Sequence, residues 1–272
     1  MSGGSTDLLA RSRNADGGFG PRAGARSEPE PTAIAALALD DDDDARAWLL
    51  DHQAVDGSWS LDVGPFVNDS ATALGALALG PGPERERAVD HVESTRARRV
   101  DSTDAIPIDA SAIGWAWATG TSSWVEPTAR ALWTLRLLRP SSPSIGDAVA
   151  LLRDRECRSG GWNYGNRIVL GEELPPFAET TAVALIGLRD LDDELEARGL
   201  DALRRLSRIE SSGGLSLATA LAAFRIHGSN EDAQRTRGAL TDLVNRTGLL
   251  GDTVALGWAS LASGSRLPGA EA

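Results

Sequence analysis

Residues 154–166 read DRECRSGGWNYGN, and residues 176–188 read PFAETTAVALIGL. Together they form one copy of a repeat: a helix ends near Arg158, Gly160 and Gly161 break it, Trp162 follows the break, and a new helix opens at Glu179. An earlier copy has the same order. In DHQAVDGSW, residues 51–59, the positions Gln53, Gly57 and Trp59 close one helix, and NDSATALGALAL, residues 68–79, opens the next. Glycine stops a helix at these points because it reaches backbone conformations that side chains resist.

The remaining copies lie on either side. Gly17-Gly18-Phe19 precedes a helix resuming at Glu30-Pro31-Thr32, and an irregular segment containing Gly114, Trp115 and Trp117 precedes one running from Trp124 to Leu138. Gly213-Gly214-Leu215 leads into an apolar helix ending at Ile226, and a break at Gly248 leads into Asp252–Ala262. Each copy pairs a charged helix with an Ala/Leu-rich helix that is apolar on nearly all sides. A helix apolar all round is buried, so the second of each pair lies inside and the first outside. Six such pairs are expected to close into a ring whose parallel inner helices all begin at one mouth. The expected fold is therefore all-α, an (α/α)6 toroid with twelve principal helices and no sheet, spanning residues 1–272 as a single domain.

Composition narrows the function classes. Hydrophobic residues make up 42% and charged residues 24%, as in globular proteins. The net charge of -12 argues against nucleic acid or an anionic membrane surface as partner, since both need clustered basic side chains. Every basic residue is Arg, so lysine Schiff-base chemistry is excluded. Cys157 is the only cysteine, which rules out an intrachain disulfide and a multi-thiolate zinc site. Residues 1–14 carry neither a basic leader nor an apolar core of signal-peptide length, and no apolar run is long enough to span a bilayer. A cytoplasmic location is expected.

The spacing of Gln53, Gly57 and Trp59 resembles the QW repeat of squalene-hopene cyclases and other class II terpene cyclases, a helix-pair repeat shared with the beta subunits of protein prenyltransferases. Glu156, Gly160 and Trp162 match with Glu in place of Gln, while Gly17-Gly18-Phe19 and Gly213-Gly214-Leu215 match only in the glycines. The resemblance covers essentially the whole chain. It implies a toroid that binds an apolar, isoprenoid small molecule in its central cavity and cyclises or isomerises it by acid catalysis. It also implies a second protein subunit, because the family's sites form between two barrels or against a partner. The alternative is a non-enzymatic binding or interaction module built on the same ring.

The family's own catalytic strings do not transfer. Class II cyclases protonate substrate from an Asp-x-Asp-Asp motif at the start of an inner helix, whereas Asp40–Asp44 follows an inner helix and belongs at the opposite mouth as a solvated turn. Prenyltransferases hold zinc near the inner-helix starts. Here Cys157 closes an outer helix, and His52, His91 and His227 fall on outer helices or turns, so neither metal nor cofactor is expected.

Aligning the inner helices on their leucines gives one recurring position at Glu30, Asn68, Glu126, Glu179, Leu217 and Asp252, followed two residues on by Thr32, Ser70, Thr128, Thr181, Thr219 and Val254. Helix-start chemistry accounts for acidic residues there, since the dipole favours them by about 0.3–1 kcal/mol. Aromatic residues also recur two positions earlier, at Phe66, Trp124 and Phe177, as hydrophobic staples or as walls of a pocket. The candidate catalytic residues are Glu126, Glu179 and Asp69. The candidate ligand-binding residues are Trp115, Trp117, Trp124, Phe66, Tyr164, Phe177 and Asp252. Trp59 and Trp162 are expected to be structural.

Overall fold

The computed structural model describes residues 2–39, 42–60, 69–208, 213–247 and 252–270. It is mostly helical. The described helices are α1 (Ser2–Arg11), α2 (Pro29–Ala38), α3 (Asp43–Asp51), α4 (Asp69–Ala78), α5 (Pro83–Ser94), α6 (Val125–Leu138), α7 (Ser144–Arg155), α8 (Ala178–Leu188), α9 (Asp193–Leu206), α10 (Gly214–Ile226), α11 (Asn230–Thr247) and α12 (Thr253–Ser263). One departure from the all-helix expectation is a two-stranded antiparallel ribbon, β1 (Ile168–Val169) and β2 (Glu172–Glu173). It sits in the loop that lengthens the fourth repeat, where Leu170 and Gly171 take positive φ to turn the chain.

The even-numbered helices are the apolar ones, and they pack in cyclic order: α2 on α4, α4 on α6, α6 on α8, α8 on α10, α10 on α12, and α12 back on α2. Ala33–Ala36, Ala182–Leu188 and Ala220–Phe224 are all essentially excluded from solvent, as helices without a polar face must be. Small residues allow the close approach. A Cβ on Gly187 would stand 2.6 Å from the Ala129 carbonyl oxygen, and one on Gly257 would stand 2.1 Å from Ile34.

The odd-numbered helices lie against this set, with a pairing that differs from the one read in the sequence. Each packs chiefly on the apolar helix that precedes it, α3 on α2, α5 on α4, α7 on α6, α9 on α8 and α11 on α10. The first helix, α1, packs on the last, α12. Short connections after each apolar helix favour this antiparallel hairpin, whereas the longer glycine loops span the gap to the next one.

Those glycine loops share a clasp that the sequence hinted at. In four copies the backbone N–H after the break donates to a threonine hydroxyl one turn into the apolar helix: Phe19 to Thr32 at 2.9 Å, Trp59 to Thr72 at 3.2 Å, Trp115 to Thr128 at 3.0 Å and Trp162 to Thr181 at 3.0 Å. In three of them the same aromatic residue's carbonyl accepts from the residue that caps the helix, Glu28 at 2.9 Å, Trp124 at 3.0 Å and Phe177 at 2.9 Å. The clasp corrects the alignment of the second copy by two residues. Thr72, not Ser70, matches Thr32, so the position equivalent to Glu30 is Ser70 rather than Asn68. The leucine alignment slipped because Leu77 and Leu79 are both candidates for the same place.

Gln53 shows what the QW spacing does here. Its Nε2 donates to the Gly57 carbonyl at 3.1 Å and to the Glu84 carbonyl at 2.9 Å, tying the turn to the next outer helix. Glu156 does the same job with charge, forming a two-pronged bond to Arg198 of α9 at 2.8 Å on each prong. Gly57 has φ of +88°, and a Cβ there would lie 2.3 Å from the Arg87 carbonyl oxygen. Gly57→Ala is therefore expected to destabilise the protein by at least about 1–3 kcal/mol, read from the midpoint of urea unfolding. An unchanged midpoint would show that the turn is not held as described.

Candidate functional site

At the N-terminal ends of the apolar helices the structure has a cavity of about 280 Å³. Helical spacing places its lining in two levels. Glu30 of α2, Glu126 of α6, Glu179 of α8, Leu215 of α10 and Val254 of α12 form the upper level, with Asp252 beside them. One turn deeper stand Arg130, Val183, Thr219 and Trp258. Trp258 is 1% exposed and stacks on Trp133 with ring centroids 5.9 Å apart, which floors the cavity. Trp117 forms part of the wall, 5.9 Å from the Arg130 guanidinium.

Arg130 organises the charges. Its side chain is 3% exposed, and it reaches Glu30 at 2.7 Å, Glu126 at 2.5 Å and the Ser70 hydroxyl at 3.0 Å. One cation therefore faces three nearby carboxyls, counting Glu179. Burial raises the Glu126 pKa above its ordinary value of 4.5; Arg130 opposes this, while Glu30 and Glu179 add to it. The net direction is upward, because burial outweighs the compensation that Arg130 supplies.

A pH dependence follows. Since the folded-state pKa of Glu126 lies above its unfolded value, the protonated carboxyl contributes stability that is complete below the unfolded value and is lost as pH rises through the folded one. Glu126→Gln mimics the neutral form. The stability advantage of the native chain over this variant should decline as pH rises from below 4.5 toward neutrality, measured by urea unfolding across that range. An advantage that grows with pH would reverse the assigned direction.

Glu179 is held from the other side. The Tyr164 hydroxyl donates to its carboxylate, and that bond pushes the Tyr164 pKa up to about 12. Tyr164 in turn lies against Phe177, with centroids 5.2 Å apart.

The remaining candidates are placed as follows. Trp117, Glu126, Glu179 and Asp252 line the cavity, and Tyr164 joins through Glu179. Asp252 is exposed and caps α12, accepting from the Ala255 N–H at 2.9 Å. Trp115 is not a wall residue. It is buried, its indole N–H donates to the Val92 carbonyl at 2.8 Å, and Arg96 lies over its ring at 4.2 Å. Trp124 and Phe177 occupy the extended positions that cap α6 and α8, outside the cavity lining. Phe66 and Asn68 lie outside the described residues, as does the side chain of Asp69.

Arg130 and Trp258 were missed by the sequence reading. Arg130 carried a usable signal, a lone charge inside the otherwise apolar stretch from Ala129 to Trp133, because a buried arginine needs partners. Among the described residues, no group of three His, Cys, Asp or Glu side chains is arranged to hold a metal ion. His52 stacks on Trp48, His91 faces Asp56 at 3.6 Å, and His227 faces Glu196 at 3.3 Å. Asp42, in the acidic run, caps α3 and pairs with Arg13 at 2.5 Å, a structural use of that string.

No protein-family model and no curated protein matches the chain. Among solved structures it is similar to a protein from Actinoplanes, with a TM-score of 0.61 over 96% of this chain and 98% of that one, at 15% identity. At that identity the likeness concerns the fold. No described helix is long and apolar enough to cross a membrane.

Proposed function

We propose that the chain is a single (α/α)6 toroid of the terpene-cyclase-like kind, and that the cavity at its mouth binds a small apolar ligand that carries or develops positive charge. The cyclic packing of the apolar helices and the clasp repeated at Thr32, Thr72, Thr128 and Thr181 support the toroid reading. The observation that carries the functional reading is the largely buried carboxyl group of Glu126, with its raised pKa, set among Glu30, Glu179, Trp117 and Trp258.

The chemistry that fits is proton transfer to an alkene. The Glu126 O–H bond breaks as a C–H bond forms on the ligand, leaving a carboxylate and a carbocation. Glu179 and the indole faces stabilise the positive charge, and loss of a neighbouring proton to the Glu126 carboxylate regenerates the acid with the double bond moved. A volume of about 280 Å³ suits a short isoprenoid rather than a triterpene. The excess of carboxylates over the single Arg130 disfavours a diphosphate.

A second reading, a binding module without turnover, draws support from the Trp258 floor, which leaves the space below filled by side chains. The two separate on one experiment. Short isoprenoid alkenes, their ammonium analogues and their diphosphates are tested for binding and for conversion with the native chain, Glu126→Gln and Glu179→Gln. Binding of alkene and ammonium forms, with conversion lost in Glu126→Gln, supports the acid; binding without conversion supports the module. Should the variants lose stability while the native chain binds nothing, the carboxylates are helix starts and both readings fail.

A further inference from the structure

A second cavity, of about 150 Å³, lies beside the start of α6 and shares no lining residue with the mouth. Its walls include Ile106, Ile108 and Trp124, and Arg98, Arg99 and Arg155 also line it. Three arginines against the single lining carboxylate of Asp109 make this a positive place in a chain of net charge -12. Asp109 is itself occupied, accepting from the Ser111 N–H at 2.8 Å and hydroxyl at 2.6 Å.

Arg155 is the unusual member. It ends α7, is only 4% exposed, and its Nε has no hydrogen-bond partner among the described residues. One terminal nitrogen pairs with Asp154, but Asp154 also accepts from the Asp109 N–H at 3.1 Å, so its charge is shared. A buried guanidinium donor without a partner is costly, and proteins rarely leave one so. Burial is also the largest influence on the Arg155 pKa, pulling it down, and an incoming anion would relieve that penalty.

We propose that this cavity binds a small apolar monocarboxylate, its carboxylate at the Arg155 guanidinium, which shifts to bring its unpartnered donor to the ligand, and its body against Ile106, Ile108 and Trp124. A planar carboxylate matches the guanidinium fork. The isoleucine and indole walls favour a body the size of a phenyl ring or a short branched chain over a bare inorganic anion. The exposed Arg98 and Arg99 supply attraction at the opening.

The test uses benzoate and isovalerate as probes, with benzamide and inorganic phosphate as controls, by calorimetry and by chemical-shift change at the Trp124 indole N–H. At least one carboxylate should bind saturably and move Trp124, benzamide should bind at least tenfold more weakly than benzoate, and phosphate should leave Trp124 unmoved. Arg155→Met should abolish carboxylate binding. If that variant does not fold, the Arg98→Ala, Arg99→Ala double variant serves instead and should weaken binding several-fold at low salt. Failure of both carboxylates to bind, equal binding of benzamide, a shift at Trp124 with phosphate, or unchanged affinity in the folded variant overturns the proposal.

Discussion

Replacing Trp162 by alanine is expected to destabilise the protein by about 3–5 kcal/mol, the cost of removing a large aromatic side chain from a close-packed interior. Trp162 is fully buried, its indole N–H donates to the Leu152 carbonyl at 2.7 Å, and its backbone N–H donates to Thr181. It also fits tightly against α9, where a Cβ on Gly199 would stand 2.8 Å from the ring. The substitution thus opens a cavity and leaves a helix-end carbonyl without its donor. Trp59 has the same geometry, donating to the Leu49 carbonyl at 2.9 Å, and should behave alike. Urea unfolding of both variants checks this, and a loss below about 1 kcal/mol would mean the aromatic plugs do not hold the two helix layers together.

Arg130→Met should cost up to about 3–5 kcal/mol at neutral pH, because it leaves the partly buried Glu30 and Glu126 without their shared cation. The pH dependence distinguishes this from simple loss of packing. As pH falls through the carboxylate range, protons replace the missing cation, so the deficit relative to the native chain should shrink; toward neutral pH it should widen. A deficit constant with pH would show that the arginine contributes only bulk. Unlike the tryptophan variants, whose defect is apolar, this one should be rescued in part by acid.

The helices were legible because their signals are local. Apolar stretches without a polar face marked the buried set, and the glycine breaks marked the turns. Pairing was less legible: whether α3 packs on α2 or on α4 depends on loop path, which the residues of α3 do not encode. The mouth was legible at Glu126 and Glu179 because one helical position recurs; it failed at Asn68, where two leucines offered rival registers, and Asp252 reaches the mouth from the cap of α12, two residues before Val254, which holds the recurring position. Trp115 and Trp117 sit two residues apart, yet one is a core plug and the other a wall. Only the clasp to Thr128 decides which is which, and that bond spans thirteen residues of irregular chain.

The most direct measurement is a carbon-13 titration of the Glu126 carboxyl, assigned with Glu126→Gln. A pKa above the ordinary 4.5 is predicted, with a further upward move when an uncharged ligand occupies the mouth and removes its remaining water. A value at or below 4.5 would make Glu126 an ion-paired helix-start carboxylate and would contradict its role as the proton donor.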